Sequence, residues 1–313
     1  MRGSRVFGAI LLALLVTPPA LYSQVEQLRL EASEEIPPGG VIRVTVEAPA
    51  EVDRLTAALF DGETELSANY GVPLDNRDGR TSWSVLLGVA STIRPGRYTL
   101  RVHGSPGPLI EERQVSVAAL EFRREDIRLN TTISELRSSD DPRKREQALQ
   151  MIALTNSFNG DALFWNGAFD PPLETDRRTS RYGDRRRFIY ADGGEARSIH
   201  NGVDLAAPQG TPVYAPGAGR VVFAEERIVT GNSVVLEHYP GVYGLFYHLD
   251  RITVETGQTV AGGDRLGTVG STGVSTGPHL HWEIRVGGVS VDPAFFLDEP
   301  LVDRNGGIGA VSQ

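Results

Sequence analysis

Glycine and proline cut this chain into strand-length pieces, and that punctuation constrains its fold more than any other feature. In the first third, runs such as Val41-Ile-Arg-Val-Thr-Val46, Trp83-Ser-Val-Leu-Leu87, Tyr98-Thr-Leu-Arg-Val102 and Gln114-Val-Ser-Val117 alternate with turn clusters such as Pro37-Pro-Gly-Gly40, Asp75-Asn-Arg-Asp-Gly79 and Pro95-Gly96. Alternate side chains on a strand share a face. Several short strands at roughly 8–12-residue intervals therefore predict an immunoglobulin-like sandwich. From Ile199 to Leu297 the chain is again strands and glycine turns: Arg220-Val-Val-Phe223, Ser233-Val-Val-Leu236, Leu245-Phe-Tyr247 and Leu280-His-Trp-Glu-Ile-Arg285. The expected fold class is all-β, interrupted by a short helical linker. In that linker Asp141-Pro142 supplies a capping carboxylate and a first-turn proline. Ala148, Leu149, Ile152 and Ala153 follow on one stripe at helical spacing, predicting a helix packed through that face.

The expected organisation is a leader at residues 1–23, the sandwich at 25–118, the helical linker at 119–155, a second β unit at 156–298 and a frayed tail at 299–313. The leader reads as an export signal: Arg2 and Arg5 precede an apolar run from Val6 to Val16, then Pro18, Pro19 and Ala20. That run is too short for a hydrocarbon core roughly 30 Å thick, which needs about 20 apolar residues. The mature protein is expected to be periplasmic, associated with the cell envelope or secreted, without stable membrane insertion. There is no cysteine, so disulfides and thiolate metal ligands are excluded. The net charge of −9 is the wrong sign for a nucleic-acid partner.

Of the six histidines, four carry the chemistry. His103 has no acidic or histidine neighbour at ligand spacing and reads as a surface residue; His238, before the Pro240-Gly241 turn, reads as structural. The other four, His200, His248, His279 and His281, sit with Asp204 beside glycine-rich turns. Neutral imidazole is the commonest metal ligand, and zinc hydrolase sites take three N/O protein ligands plus water. In a strand, residues four apart (His200, Asp204) and two apart (His279, His281) can converge on one point. Spacing points to a metal hydrolase but does not divide ligands from bases, because His279 and His281 leave one strand in the same direction.

The surrounding residues do more. His200-x-Gly-x-Asp204, Pro208-x-Gly-Thr-Pro-Val213, His248 within Tyr247-x-Leu249, Gly257-x-x-Val260, Ser271-Thr-Gly273, Gly277-Pro-His-Leu-His281, Glu283-Ile-Arg285 and Asp292-Pro293 resemble the lysostaphin/LytM-type zinc endopeptidases of bacterial cell walls, from roughly Tyr182 to Leu297. The resemblance implies a β-sheet peptidase domain with an open groove, one zinc ion per chain held by His200, Asp204 and His281, His279 as the catalytic base, and His248 as an auxiliary histidine steadying the oxyanion or the water. It implies peptidoglycan peptides as substrate. The alternative is a non-catalytic adaptor of the same fold that activates another wall hydrolase; such adaptors lose ligands, and none is lost here. A zinc D,D-peptidase of different fold would space its first histidine and aspartate more widely.

Three features stay subordinate. Glu283 and Arg285 either orient a metal-bound histidine or form a surface pair. The Arg185-Arg-Arg187 run reads as a solvated face, with a substrate carboxylate as the alternative partner. The stretch from Asn156 to Arg187 is expected to wall the groove, with Phe164 and Trp165 buried; the alternative is that an oxygen of Asn159 or Asp161 occupies the fourth metal position.

Overall fold

The computed structural model describes residues 28–106, 109–175 and 177–302; the leader and most of the tail lie outside the described residues. The chain is mostly β. Its first third forms two sheets. One runs in the order Arg29–Ala32, Val41–Pro49, Arg80–Gly88, Val72–Arg77, and the other Glu35–Ile36, Leu109–Val117, Gly96–Ser105, Arg54–Asp61, Thr64–Tyr70. Inward-facing residues of both sheets, among them Ile42, Val44, Leu87, Leu55, Leu59 and Leu100, close one apolar core. His103 is exposed on the outer face.

The C-terminal half is built on one large antiparallel sheet whose spine is Val203–Ala206, His279–Val286, Val242–Ile252, Gly231–Tyr239 and Gly219–Arg227. Its core is continuous with the first third: Val41, Val72 and Leu86 belong to the same apolar cluster as Tyr182, Val286, Val291 and Phe296. The contact is close. A side chain on Gly39 would meet Tyr182 Cε1 at 2.3 Å, and one on Gly88 would meet Val289 Cβ at 2.8 Å. Tyr182 seals this junction, its hydroxyl accepting from the Ser91 amide (3.2 Å) and donating to the Ser290 carbonyl (2.7 Å).

The linker departs from expectation in two ways. It contains two helices, Thr131–Ser138 and Pro142–Thr155, but it begins with a strand, Arg124–Arg128, that pairs in parallel with Arg185–Ile189. The longer helix starts as expected, Asp141 accepting from the Arg143 amide at 2.9 Å. Its buried face differs: Ala148, Leu149, Ile152 and Ala153 are exposed, and Met151, Leu154 and Thr155 meet the sheet. Polar anchors set that rotation. Gln147 accepts from the Ile228 amide (3.0 Å) and Arg285 donates to Thr155 Oγ1 (3.1 Å), so Gln147, Met151 and Thr155 form the contact line. The tail is not frayed throughout: Leu301 and Val302 are buried in the main cluster, and Arg43 pairs with Glu299.

His238 is structural and fully buried. Its Nδ1–H donates to the Ala218 carbonyl at 2.8 Å, Phe169 packs on its ring, and Nε2 finds no partner among the described residues. Burial pushes its pKa down to about 4.

Two expectations follow from this core. Tyr182→Phe leaves the buried Ser91 amide without an acceptor, and the free energy of unfolding should fall by about 1–3 kcal/mol in denaturant titration; an unchanged midpoint would show that the hydroxyl seals nothing. His238 stays neutral in the folded chain while the unfolded chain protonates it near pH 6.5. Between pH 6.5 and about 4 the unfolded state therefore binds more protons, and stability falls with pH by roughly 3 kcal/mol in total. In His238→Gln this part of the slope should vanish, whatever the variant's absolute stability; equal slopes in both proteins would refute the assignment.

Candidate metal and catalytic site

Strand register brings the site together. Asp204 lies opposite His281 in the pairing of Val203–Ala206 with His279–Val286, so both side chains rise from one face. His279 rises from the same face two residues earlier. His200 enters from the turn before Asp204, and Gly202 permits that turn: a Cβ there would strike the Trp282 carbonyl oxygen at 2.3 Å. Any side chain there would force this turn and the Trp282 strand apart.

His200 Nε2, Asp204 Oδ1 and His281 Nδ1 stand 2.9 Å from one another in all three pairings. The remaining ring atoms fix their protonation. His200 Nδ1 is 2.8 Å from the Arg181 carbonyl, which can only accept, so the proton sits on Nδ1 and Nε2 carries a lone pair. His281 turns Nε2 toward Glu283 at 3.7 Å, leaving Nδ1 for the site. Positive charge must lie between these atoms, either a proton on His281 Nδ1 shared with Asp204 Oδ1 and the His200 lone pair, or a metal ion. These three groups would hold a divalent metal, with two neutral imidazoles and one carboxylate as donors.

The electrostatics agree. Burial opposes ionisation of Asp204, but its bonds to His200 and His281 outweigh this and hold it well below the usual carboxylate range. Burial likewise opposes charge on His281, yet Asp204 and Glu283 override it and push the pKa up to about 9. The site favours positive charge, and a metal would compete with that proton. Burial lowers the pKa of His200.

Two further histidines face the same point. His279 Nδ1 donates to the Gly277 carbonyl at 2.8 Å, leaving the Nε2 lone pair 3.7 Å from Asp204 Oδ1. His248 Nδ1 donates to the Thr272 carbonyl at 2.7 Å, and its ring lies 4.8 Å from that of His279. His248 has φ +62°, a left-handed conformation uncommon outside glycine and frequent at functional sites. Burial first, then the neighbouring histidines, push its pKa down to about 3. The loop that supplies the Thr272 carbonyl packs on Gly231, where a Cβ would fall 2.1 Å from Thr272 Oγ1. Thr272 Oγ1 in turn accepts from the Asn232 amide (2.9 Å) and donates to the Leu249 carbonyl (2.8 Å).

The site opens into a groove of about 850 Å³ bordered by His248, His279, Ser275, Arg177 and the Arg124–Arg128 strand. Glu283 is a buried partner rather than a surface group, bonded to Arg285 (2.7 Å) and Ser290 (2.6 Å) behind His281. Phe164 and Trp165 are half-buried away from the groove, where the Trp165 amide donates to the His238 carbonyl at 2.9 Å. Asn159 and Asp161 stay beside them in a local turn, and the part of the 156–187 stretch that walls the groove is its second half, through Glu174, Thr175, Arg177, Thr179, Ser180 and Arg186. The three arginines are all paired: Arg185 with Ser91, Arg186 with Asp204 and Glu125, Arg187 with Asp126 and Glu195. Sequence reasoning missed Glu125 and Arg186; the one signal for them is that an acidic pair, Glu125-Asp126, meets a basic run of matching register.

Comparison with known proteins converges on the same segment. Residues 198–293 match Peptidase family M23. Over 136 residues the chain is 41% identical to the DD-carboxypeptidase/endopeptidase Mpg of Neisseria meningitidis, covering 43% of this chain and 30% of that protein. It is 42% identical over 135 residues to the peptidoglycan DD-endopeptidase ShyA of Vibrio cholerae, with the same 43% and 30% coverage. The chain thus spans under a third of the length of these relatives. A crystal structure from Pseudomonas aeruginosa assigned to peptidase M23 superposes over 84% of this chain and 94% of its own, at 26% identity and a TM-score of 0.55. The segment that holds His200, Asp204, His248, His279 and His281 belongs to peptidase family M23, the family of the lysostaphin/LytM-type peptidases.

Proposed function

We propose that this chain is an exported zinc endopeptidase that hydrolyses peptide bonds in peptidoglycan cross-links or stem peptides. One observation carries the reading: a ring nitrogen of His200, a ring nitrogen of His281 and a carboxylate oxygen of Asp204 meet at 2.9 Å, with two more imidazoles facing them. His200, Asp204 and His281 hold the metal. Bound zinc supplies Lewis acidity, which lowers the pKa of water from 15.7 to roughly 7 and polarises a carbonyl.

The chain's own residues do the rest. His279, its Nδ1–H fixed by Gly277, presents Nε2 as the base that accepts a proton from water and later hands it to the leaving amine. His248, fixed the same way by Thr272, also presents a lone pair. In that tautomer it accepts a hydrogen bond and has no proton to give an oxyanion, so orienting the attacking water is the role it fits. Glu283 sits behind His281 and keeps its Nδ1 aimed inward. The open groove suits an extended peptide, and the names of the relatives make D,D-peptide bonds the first substrate to test. The two N-terminal sheets fit an immunoglobulin-like sandwich whose role is to position or target the enzyme. Export rests on the leader; among the described residues no helix is long and apolar enough to cross a membrane.

Purified protein should contain about one zinc ion per chain, and His200→Ala, Asp204→Ala and His281→Ala should each lose most of it, measured by elemental analysis. His279→Ala should keep its metal while turnover falls on the order of 10²–10⁴-fold. Digestion of sacculi of several cross-link types, with mass analysis of released muropeptides, identifies the bond. No release by a zinc-loaded wild type would reject the endopeptidase and favour an adaptor.

A further inference from the structure

Asp204 offers one carboxylate oxygen, Oδ1, to the histidines; the other, Oδ2, is engaged by Arg186 Nη2. The same guanidinium turns its Nε to Glu125 Oε2 at 3.3 Å. Glu125 in turn accepts from Ser180 Oγ at 2.9 and 3.1 Å. All three charged side chains are mostly shielded, with exposures of 22% for Glu125, 14% for Arg186 and 8% for Asp204. Glu125 comes from the Arg124–Arg128 strand, well outside the segment 198–293 that matches the peptidase family.

We infer that Glu125 and Arg186 are positioning residues of the metal site: a carboxylate–guanidinium–carboxylate relay that keeps Asp204 bound through Oδ1 alone. The inference rests on the metal reading of His200, Asp204 and His281. Its physical logic is competition. A free carboxylate can swing its second oxygen toward a metal, crowding the open side where water must sit. Here that oxygen is taken by a planar donor whose own freedom is removed by a second carboxylate. An ammonium at this position would supply the charge but could not span the two acids in fixed geometry. The outer partners of a metal ligand commonly carry 10–100-fold of affinity or activity.

The fold contains its own control. One residue along the same two paired strands, Asp126 and Arg187 repeat the ion pair on the opposite face, exposed and away from the site. Loss of that pair weakens the strand pairing without touching Asp204.

The test is zinc affinity, by competition with a chromophoric chelator, of the full chain and of Arg186→Met, Arg186→Lys, Glu125→Gln and Asp126→Asn. The visible spectrum of the cobalt-substituted proteins is the second readout. Arg186→Met should bind about 10–100-fold more weakly, Arg186→Lys nearly as weakly, and Glu125→Gln less so in the same direction. The cobalt bands of the Arg186 variants should lose intensity as a second carboxylate oxygen raises the coordination number, while Asp126→Asn matches wild type. Unchanged affinity and spectra in the Glu125 and Arg186 variants overturn the relay and leave the metal site standing. Equal losses in Asp126→Asn also overturn it, by showing that the strand merely supports the fold. A wild type that binds no metal rejects both readings together.

Discussion

Everything around the site answers one constraint: the ring nitrogens of His200 and His281 and an anionic oxygen of Asp204 are held 2.9 Å apart in a buried place. Such a cluster would relax apart if its members were free to move. It persists because each is fixed from behind. His200 is tied to the Arg181 carbonyl, His281 backs onto Glu283, and Asp204 is bonded on its far oxygen to Arg186. The sheet supplies the rest, since the Asp204–His281 cross-strand pair cannot separate without breaking the ladder on either side. The fold thus holds three donors around one point that favours positive charge, whether a proton or a metal ion.

The auxiliary histidines follow the pattern of His200, each held by a backbone carbonyl. Gly277 and Thr272 each take an Nδ1–H, and a carbonyl partner orients an imidazole without charging it. Both rings stay neutral and turn Nε2 inward. A carboxylate in either place would favour the imidazolium and remove the lone pair that a base needs. The left-handed backbone at His248 is the local cost of this arrangement, sustained by its amide bond to the Thr230 carbonyl and by the tight approach of Gly231 to Thr272.

Much of this was legible in the sequence where apolar periodicity or even spacing carried it. The strands of both β units show as alternating or apolar runs, and His200, Asp204, His279 and His281 sit at spacings that a strand converts into a shared face. The misses have one physical source: contacts made by polar groups leave no apolar period. Arg124–Arg128 is a strand that alternates charge with charge, so it reads as linker. The longer helix docks through Gln147 and Thr155 as much as through Met151, which turns Leu149 and Ile152 outward against the apolar stripe. Leu301 and Val302 follow no pattern at all; they are buried because the Gly167 and Asn166 carbonyls capture their amides. Spacing does not separate ligand from base; the two histidines differ in their ring-nitrogen partners, Glu283 for His281 and the Gly277 carbonyl for His279.

Those partners also tie the two halves of the molecule together. The turn from Arg181 to Arg186 alternates its allegiance. Arg181 and Arg186 hold His200 and Asp204, while Tyr182 and Arg185 bond to Ser91 of the N-terminal sheets. A six-residue segment pinned on both sides cannot shift toward one without loosening from the other. Arg185 is further held over the Phe122 ring, at the entrance to the strand that carries Glu125. The N-terminal unit thus reaches the candidate metal site through the Tyr182 and Arg185 side chains bonded to Ser91, although among the described residues none of its own side chains enters the groove. Small displacements at that junction bear on the Arg181 carbonyl, and through it on the tautomer of His200 that turns its Nε2 lone pair toward Asp204 and His281.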